Sequence, residues 1–135
     1  MSCNENSVEG QRVENLVLQL DGELEYILGD CSATQVRTRN LGVLDFTNAQ
    51  KVRFDLSGMT DADISSIGIF YVNNNENVFL VDLPDRNAVN GTGSVEVNSP
   101  RTNSGIFLRV TLRSSVCTGQ LFHIRVSDLK IYTIN

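Results

Sequence analysis

The stretch LFHIRVSDLKIYTIN, residues 121–135, decides the fold, because its apolar residues change parity halfway along. The two series are Phe122, Ile124 and Val126, then Leu129 and Ile131. Alternation of this kind is typical of a strand with one buried face, since successive side chains point to opposite sides of a sheet. The change at Ser127 and Asp128 therefore predicts either a β-bulge that turns the strand over or a short turn between two strands.

Period-two alternation continues through the rest of the chain. Leu16, Leu18 and Leu20 precede Asp21 and Gly22, and the apolar run at 24–28 follows, a pattern that predicts a β-hairpin. Further strands are predicted in VRFDL (52–56), IGIFYV (67–72), VFLVDL (78–83) and GIFLRVTLR (105–113). Many short strands separated by turns indicate a two-sheet sandwich.

The predicted fold class is all-β: a two-sheet antiparallel β-sandwich with jelly-roll topology and at most one short helical turn. Residues 59–65 are the expected place for that turn, with Thr60 as its N-cap. The domain organisation is predicted as a flexible N-terminal tail at 1–12 and a single sandwich domain at 13–135. A length of 135 residues suits one domain with a substantial core.

Composition excludes several classes of function. Hydrophobic residues make up 41% and charged residues 20%, which is ordinary for a globular domain. The formal net charge is -5, and the eleven Lys and Arg are dispersed along the sequence, so nucleic acid is not an expected partner. No apolar run reaches the roughly 20 residues that a membrane-spanning helix needs.

The order of these segments resembles the galactose-binding-like β-jelly rolls. The resemblance rests on VRFDLSG, the IGIFYV strand and its return NVFLVDL, then GIFLRVTLRSS and FHIRVSDLKIY, and it covers roughly residues 13–134. That superfamily includes non-catalytic carbohydrate-binding modules and discoidin-type domains. The resemblance implies a secreted or cell-surface module that recognises a polysaccharide or glycan.

The resemblance also implies a structural calcium ion. In such domains an aspartate at the step before the closing strand often binds calcium together with groups from the N-terminal segment, which makes Asp128 a candidate ligand with Glu9 and Glu14 as the nearest acidic partners. A bulge would also leave carbonyl oxygens free, and calcium takes six or more oxygen ligands. The alternative is that Asp128 only bonds its own backbone in a turn.

The three cysteines lack a zinc-binding spacing. Cys31 and Cys117 are either a disulfide pair or two free buried thiols. Cys3 lies in the polar start Ser2-Cys3-Asn4-Glu5, which looks like the mature start of a bacterial surface lipoprotein whose leader has been replaced by Met1 and Ser2. On that interpretation Cys3 carries a lipid anchor and the protein is extracellular or at the bacterial cell surface. The alternative is an incidental cysteine on a disordered tail.

Catalysis is not indicated. His123 is the single histidine, and its alternation with Phe122 and Ile124 predicts a solvent-facing or hydrogen-bonded strand residue. The sequence contains no nucleophile elbow, phosphate loop or zinc-protease motif. We therefore predict a non-enzymatic protein that requires no cofactor.

Two surfaces are candidates for ligand binding. A sugar site built from planar amides and guanidinium groups is predicted from three loop segments, namely Arg37, Arg39 and Asn40; Asn73, Asn74 and Asn75; and Arg101 and Asn103. The other candidate is the outward side of the 106–112 strand, with Phe107, Arg109 and Arg113. Because the chain contains no Trp, the aromatic platform of a sugar site is poorly supplied. The alternative function is therefore a structural, adhesion or particle-assembly jelly roll that binds other protein chains.

Overall fold

The computed structural model describes residues 12–29, 34–114 and 119–135. Over these residues the chain forms nine strands and one helix. In chain order they are β1 (Glu14–Gln19), β2 (Glu23–Gly29), β3 (Gln35–Asp45), β4 (Lys51–Thr60), β5 (Ile64–Asn73), β6 (Glu76–Leu83), α1 (Arg86–Val89), β7 (Gly91–Asn98), β8 (Asn103–Arg113) and β9 (Leu121–Ile134). No helix in this part of the chain is long and apolar enough to cross a membrane.

The strands form two antiparallel sheets. In the five-stranded sheet β9 pairs with β4, β4 pairs with β7, and both β1 and β2 pair with the other side of β9. The four-stranded sheet has the order β3-β8-β5-β6. Because β1 and β2 together occupy one strand position, each sheet has four positions, and the chain crosses repeatedly between them. This is a jelly-roll sandwich, so the predicted fold class is confirmed.

The core lies between the sheets, where alternate residues of both contribute apolar side chains. The largest fully buried side chains are Phe46, Phe54, Ile67, Ile69, Ile106, Leu108, Leu112, Ile124, Leu129, Ile131, Val52 and Val81. Five of them belong to β5 and β8, the two inner strands of the four-stranded sheet. The opposite face of that sheet points outward.

β1 and β2 do not form the predicted hairpin. Both are antiparallel to β9, with Glu14 opposite Ile134 and Glu23 opposite Ser127, so they run in the same direction along one edge. Between them the Leu20 amide donates to the Leu129 carbonyl at 3.0 Å. Gly22, with φ of 83°, offsets the chain without reversing its direction. Leu20 and Leu24, on either side of it, both pack against the core.

The parity change in β9 is a bulge within one continuous strand. Asp128 has φ of 56°, and the pairing with β4 shifts between Asp55 and Ser57 at the same level. Val126 and Leu129, two residues of opposite parity, are consequently both buried. Of the two alternatives for Ser127 and Asp128, the bulge is the one that the structure shows.

The helical turn lies elsewhere than predicted. β4 continues to Thr60, whose hydroxyl accepts from the Ala62 amide at 3.2 Å and contacts the Ser65 hydroxyl at 2.7 Å, so these residues form a tight turn. The helix is α1, where the Asp85 carboxylate caps the Ala88 amide at 2.9 Å. The capping aspartate that follows Pro84 was the signal for it in the sequence.

Candidate functional site

An aromatic cluster lies on the outer face of the four-stranded sheet. Phe70 stands between Phe107 and Phe79, because the three are cross-strand neighbours on β5, β8 and β6. The ring centroids are 5.4 Å apart for Phe70 and Phe107 and 5.1 Å apart for Phe70 and Phe79. These separations are those of favourable aromatic pairs. We call the three rings the phenylalanine cluster.

Arg109 covers one side of this cluster. Its guanidinium carbon lies 4.6 Å from the centroid of the Phe79 ring and 6.0 Å from that of Phe70. Gly68, the cross-strand neighbour of Arg109, makes room for the stack, because a Cβ at this position would lie 2.6 Å from Cε2 of Phe79. A guanidinium stacked on a ring keeps its N–H donors around its rim, where a carboxylate from outside can reach them.

Exposed aliphatic side chains surround the cluster. Val43 is 71% exposed, Val36 and Ile64 are each 50% exposed, and Val72 is 47% exposed. Their cross-strand partners place all four on the outward side of the sheet. The phenylalanine cluster and these four residues together are called the outer patch. Val43 and Val72 lie next to the cluster, whereas the row of Arg109 and Gly68 separates it from Val36 and Ile64. Exposed apolar side chains beside an aromatic cluster are typical of an interaction site.

The outer face of the five-stranded sheet has a different character. Arg53 donates to Glu14 at 2.7 Å and to Asp55 at 3.1 Å, and its guanidinium carbon lies 4.2 Å from the centroid of the Tyr132 ring. The hydrogen bond to Glu14 is the main cause of the raised pKa of Arg53. Arg125 similarly pairs with Glu25. Arg53 and Arg125 on this face thus pair with carboxylates of the chain itself, and Leu16, Ile27 and Met59 are about half exposed on the same face.

Several charged side chains on the four-stranded sheet differ from these in having no ion pair among the described residues. Arg37, Arg39, Arg109 and Arg113 lie on the neighbouring strands β3 and β8, and none of them takes part in an ion pair within the described part of the chain. Asp82, on β6, is likewise exposed and without an ion-pair partner there. Arg109 and Arg113 lie on the outward side of β8, whereas Arg37 and Arg39 lie opposite the core-facing Val110 and Leu108 and so on the other side of the edge strand β3. The outer patch thus has two arginines on β8 and one carboxylate on β6.

The predicted sugar-binding residues are only partly brought together. Asn73, Asn74 and Asn75 form the turn between β5 and β6, and Arg101 and Asn103 lie at the same end of the sheet, because β5 and β8 are antiparallel neighbours. Asn74, Asn75 and Arg101 have φ of 53°, 65° and 57°, which identifies them as turn-forming positions.

The remaining predicted sugar-binding residues are further along β3. Arg37 and Arg39 pair with Val110 and Leu108, away from the asparagine turn, while Asn40 lies opposite Phe107 in the middle of the sheet. The Asn40 side chain accepts from the Gly42 amide at 2.8 Å, which supports the bulge in β3. The structure therefore does not bring all three segments together in one groove.

The proposed calcium ligands within the described residues are far apart. Asp128 is at the bulge in β9, whereas Glu14 lies opposite Ile134 at the end of that strand and pairs with Arg53. No group of three or more potential metal-ligating side chains is found among the described residues. A positive φ at Asp128 has its own explanation in the bulge. Calcium binding stays a prediction.

Four predicted residues lie outside the described part of the chain: Glu9, Cys3, Cys31 and Cys117. The disulfide, the lipid anchor and the location at a cell surface therefore stay predictions, as do the domain boundaries. Of the predicted tail, Arg12 is described, and it pairs with Glu96 on β7.

His123 is held by Asp61. One carboxylate oxygen of Asp61 accepts from the His123 backbone amide at 2.6 Å, and the other lies 3.2 Å from Nδ1 of the ring. Burial acts to raise the pKa of Asp61, but the hydrogen bonds from His123 outweigh it, and the pKa lies below its usual value. The pair ties the β4–β5 turn to the start of β9, which is a structural role.

A shallow pocket lies at the opposite side of the sandwich from β3. Its volume is about 130 Å³, and it lies between β7, the end of β6 and α1, with Leu56, Leu83 and Val95 among its walls. The pocket exists because Gly91 and Gly93 of β7 have no side chains to fill the space. It contains no titratable side chain, so it is poorly equipped for catalysis.

Comparison by sequence gives no match to a protein-family model and none to a curated protein. Comparison of structures gives matches. One is to a chain in the structure of infectious bursal disease virus Gx strain, with a TM-score of 0.51 and 12% identity over 93% of this chain and 32% of that one. Another is to the VP2 subviral particle of infectious bursal disease virus, with a TM-score of 0.53 and 9% identity over 93% of this chain and 33% of that one.

These likenesses show the fold alone, and the chain spans about a third of the length of the neighbours it matches. They support jelly-roll architecture and give no support to the narrower galactose-binding-like assignment. At the level that is shown, the chain is a jelly-roll β-sandwich of the general form found in those viral proteins.

Sequence reasoning identified Phe107 and Arg109 but missed their partners Phe70 and Phe79. The run IGIFYV is apolar on both parities, which predicted a strand covered on both faces. Residues 67–71 are indeed all buried, so the strand is covered on both faces as predicted, and on the outward side the cover comes from Phe79, Phe107 and Arg109. The signal that could have revealed the cluster is Gly68, a residue without a side chain inside an otherwise bulky strand.

Proposed function

We propose that this protein is a non-catalytic jelly-roll module that binds other protein chains, in an assembly or adhesion role, through the outer patch of its four-stranded sheet. The observation that carries the proposal is the contrast between the two outer faces. Both faces carry exposed aliphatic side chains, among them Leu16, Ile27 and Met59 on the five-stranded sheet. The four-stranded sheet adds the phenylalanine cluster and arginines without an ion pair among the described residues, whereas Arg53 and Arg125 on the other face pair with carboxylates of the chain itself. An apolar sheet face rimmed by charge is the composition of a protein interface.

The structural neighbours add support of a general kind. One of them is named as the VP2 chain of a subviral particle, so a jelly roll of this form occurs in a protein that builds particles. At 9% identity this is an analogy of fold, and the argument for protein binding rests on the outer patch itself.

Glycan recognition, which the sequence resemblance implied, is the weaker proposal. Its polar residues are divided between one end of the sheet and the middle of β3, and the asparagines have backbone roles in a turn. The cluster rings are stacked against each other and against Arg109, so their faces are not free to receive a sugar. A calcium ion at Asp128 and lipid attachment at Cys3 belong to that weaker proposal.

Site-specific photo-crosslinking in the organism that encodes the chain tests the proposal. A photoreactive phenylalanine analogue replaces Val72, in the outer patch, and in a matched variant replaces Leu16, on the outer face of the five-stranded sheet. The two positions are 47% and 48% exposed, so they differ in face rather than in accessibility.

The proposal predicts protease-sensitive adducts of defined mass from position 72 and few from position 16. Equal adducts from both positions, or none from position 72, would contradict it. Binding of the purified chain to a glycan array, lost on substitution of Asn74 and unaffected at Val72, would instead favour the sugar-binding alternative.

A further inference from the structure

The charges on the outer face of the four-stranded sheet are arranged so that the face is complementary to itself. Cross-strand pairing places Arg109, Gly68 and Asp82 in one row across β8, β5 and β6. The positive end of the row is thus on β8 and the negative end on β6, with the uncharged strand β5 between them. Neither end has an ion-pair partner within the described residues.

We infer that the partner of the outer patch is a second copy of this chain, docked face to face about a two-fold axis parallel to the strands. This inference rests on the proposed function. Rotation about such an axis keeps each residue at its own level along the strands and reverses the order of the strands. Arg109 of each copy then comes to the level and side of Asp82 in the other, and both pairs form at once.

The apolar part of the patch fits the same arrangement. Phe107 and Phe70 are direct cross-strand neighbours one row away from Arg109 and Gly68. The axis that pairs Arg109 with Asp82 passes over β5, so the Phe107 of one copy packs over the Phe79 of the other, and the phenylalanine clusters meet at the centre above the buried Phe70. Ile64 and Val72 lie on β5 itself, so each faces its own counterpart in the partner.

The available area is sufficient for a modest dimer. With the axis over β5, the three strands β8, β5 and β6 face their counterparts. About ten residues in each, at roughly 3.3 Å per residue and 4.8 Å between strands, give a face of about 480 Å². Two such faces bury about 950 Å² in total, which is the size of a weak or transient interface. Association is therefore expected to be reversible and concentration-dependent.

Sedimentation velocity of the purified full chain over a range of concentrations tests this inference. The chain is expected to change from monomer to dimer, and added salt is expected to weaken the dimer because the rim pairs are screened. Arg109→Asp and Asp82→Arg each place like charges opposite each other, and each is expected to raise the dissociation constant by about tenfold or more. The double variant restores opposite charges and is expected to return to within about threefold of the original chain.

Two further variants keep the result interpretable. Val72→Glu changes an exposed residue of the patch and should abolish the dimer, whereas Leu16→Glu on the other outer face should leave it intact. Thermal unfolding of every variant identifies any that fail to fold. A chain that stays monomeric at all concentrations would overturn the inference, and so would a dimer that responds equally to Val72→Glu and Leu16→Glu or a double variant that is not rescued.

The crosslinking experiment separates this inference from the proposed function. Adducts from position 72 with twice the mass of the chain support a second copy. Adducts of another mass with a different protein would refute the second copy while leaving protein binding through the outer patch in place, and absence of any protein adduct would refute both.

Discussion

At the scale of single residues, the outer patch depends on a position where a side chain is missing. Gly68 is flanked by Arg109 on β8 and covered by the ring of Phe79. Its backbone is ordinary extended strand, so the requirement for glycine comes from space rather than from backbone conformation. Adding even a small side chain at this position should disturb the packing of the whole cluster, because close-packed side chains have few alternative positions.

Gly68→Ala is expected to lower the free energy of unfolding by about 1–3 kcal/mol, because the new methyl group must displace the Phe79 ring. Urea denaturation measures the change. Gly93→Ala is the matched control, since a Cβ there would meet nothing within 4 Å. That control should be neutral or slightly stabilising, as alanine is in most strand positions relative to glycine. Equal effects at the two glycines would argue against the packing described here.

Asp61 makes a pH-dependent contribution to the free energy of unfolding through its hydrogen bonds with His123. Because the pKa of Asp61 is lowered in the folded state, its contribution is present above the unfolded pKa of about 3.9 and is lost as the pH falls through the lower folded value. The Asp61 side chain is 55% exposed, so solvent screening should keep the effect below about 1 kcal/mol.

Asp61→Asn retains an oxygen for the His123 amide but removes the titration. We expect the variant to lose less stability than the original chain on acidification through the acid range, as measured by urea denaturation at each pH. Parallel stability curves for the two proteins would show that Asp61 makes no such contribution.

At the scale of elements, β9 is the strand around which the five-stranded sheet is organised. It pairs with β1 and β2 on one side and β4 on the other, and its bulge at Asp128 lies where β1 gives way to β2. Because the bulge shifts the alternation of side chains by one residue, Leu129 and Ile131 face the core, as Val126 does before them. A strand without the extra residue would turn one half of its apolar side chains to solvent.

Asp128→Val is expected to cost about 1–2 kcal/mol, because a β-branched residue is strained at the positive φ of this position. Asp128→Gly should be tolerated within about 0.5 kcal/mol. Lys130→Val, two residues further along the same strand, controls for the loss of a surface polar group. Chemical denaturation that ranked Val above Gly at position 128 would contradict the assignment of a backbone role to this residue.

At the scale of the whole molecule, local patterns in the sequence account for most of the fold. Alternation at 52–56 and 105–113 identified half-buried strands, and the parity change at Asp128 gave a bulge as one of two alternatives, between which the structure decides. These local patterns did not reveal which strands pair with each other. Asp21 and Gly22 have the composition of a hairpin turn, yet β1 and β2 pair with β9, because long-range packing of their leucines on the core decides the outcome.

The candidate site was predictable only in part for the same reason. Phe107 and Arg109 are conspicuous on the polar side of an alternating strand, but the proximity of Phe70, Phe79 and Arg109 follows from the strand order β8-β5-β6. The asparagine turn attracted a functional interpretation because amides suit sugars, although its positive φ values explain those residues as turn formers.

The central claim is that the outer face of the four-stranded sheet is covered by protein when the chain is in its native setting. Hydroxyl-radical footprinting tests this most directly, by comparing side-chain labelling in the native assembly with that in the dilute purified chain. The account predicts that labelling of Ile64 and Val72 falls severalfold in the assembly while labelling of Leu16 is unchanged. Unchanged labelling of those two residues, or protection confined to Leu16, would contradict it.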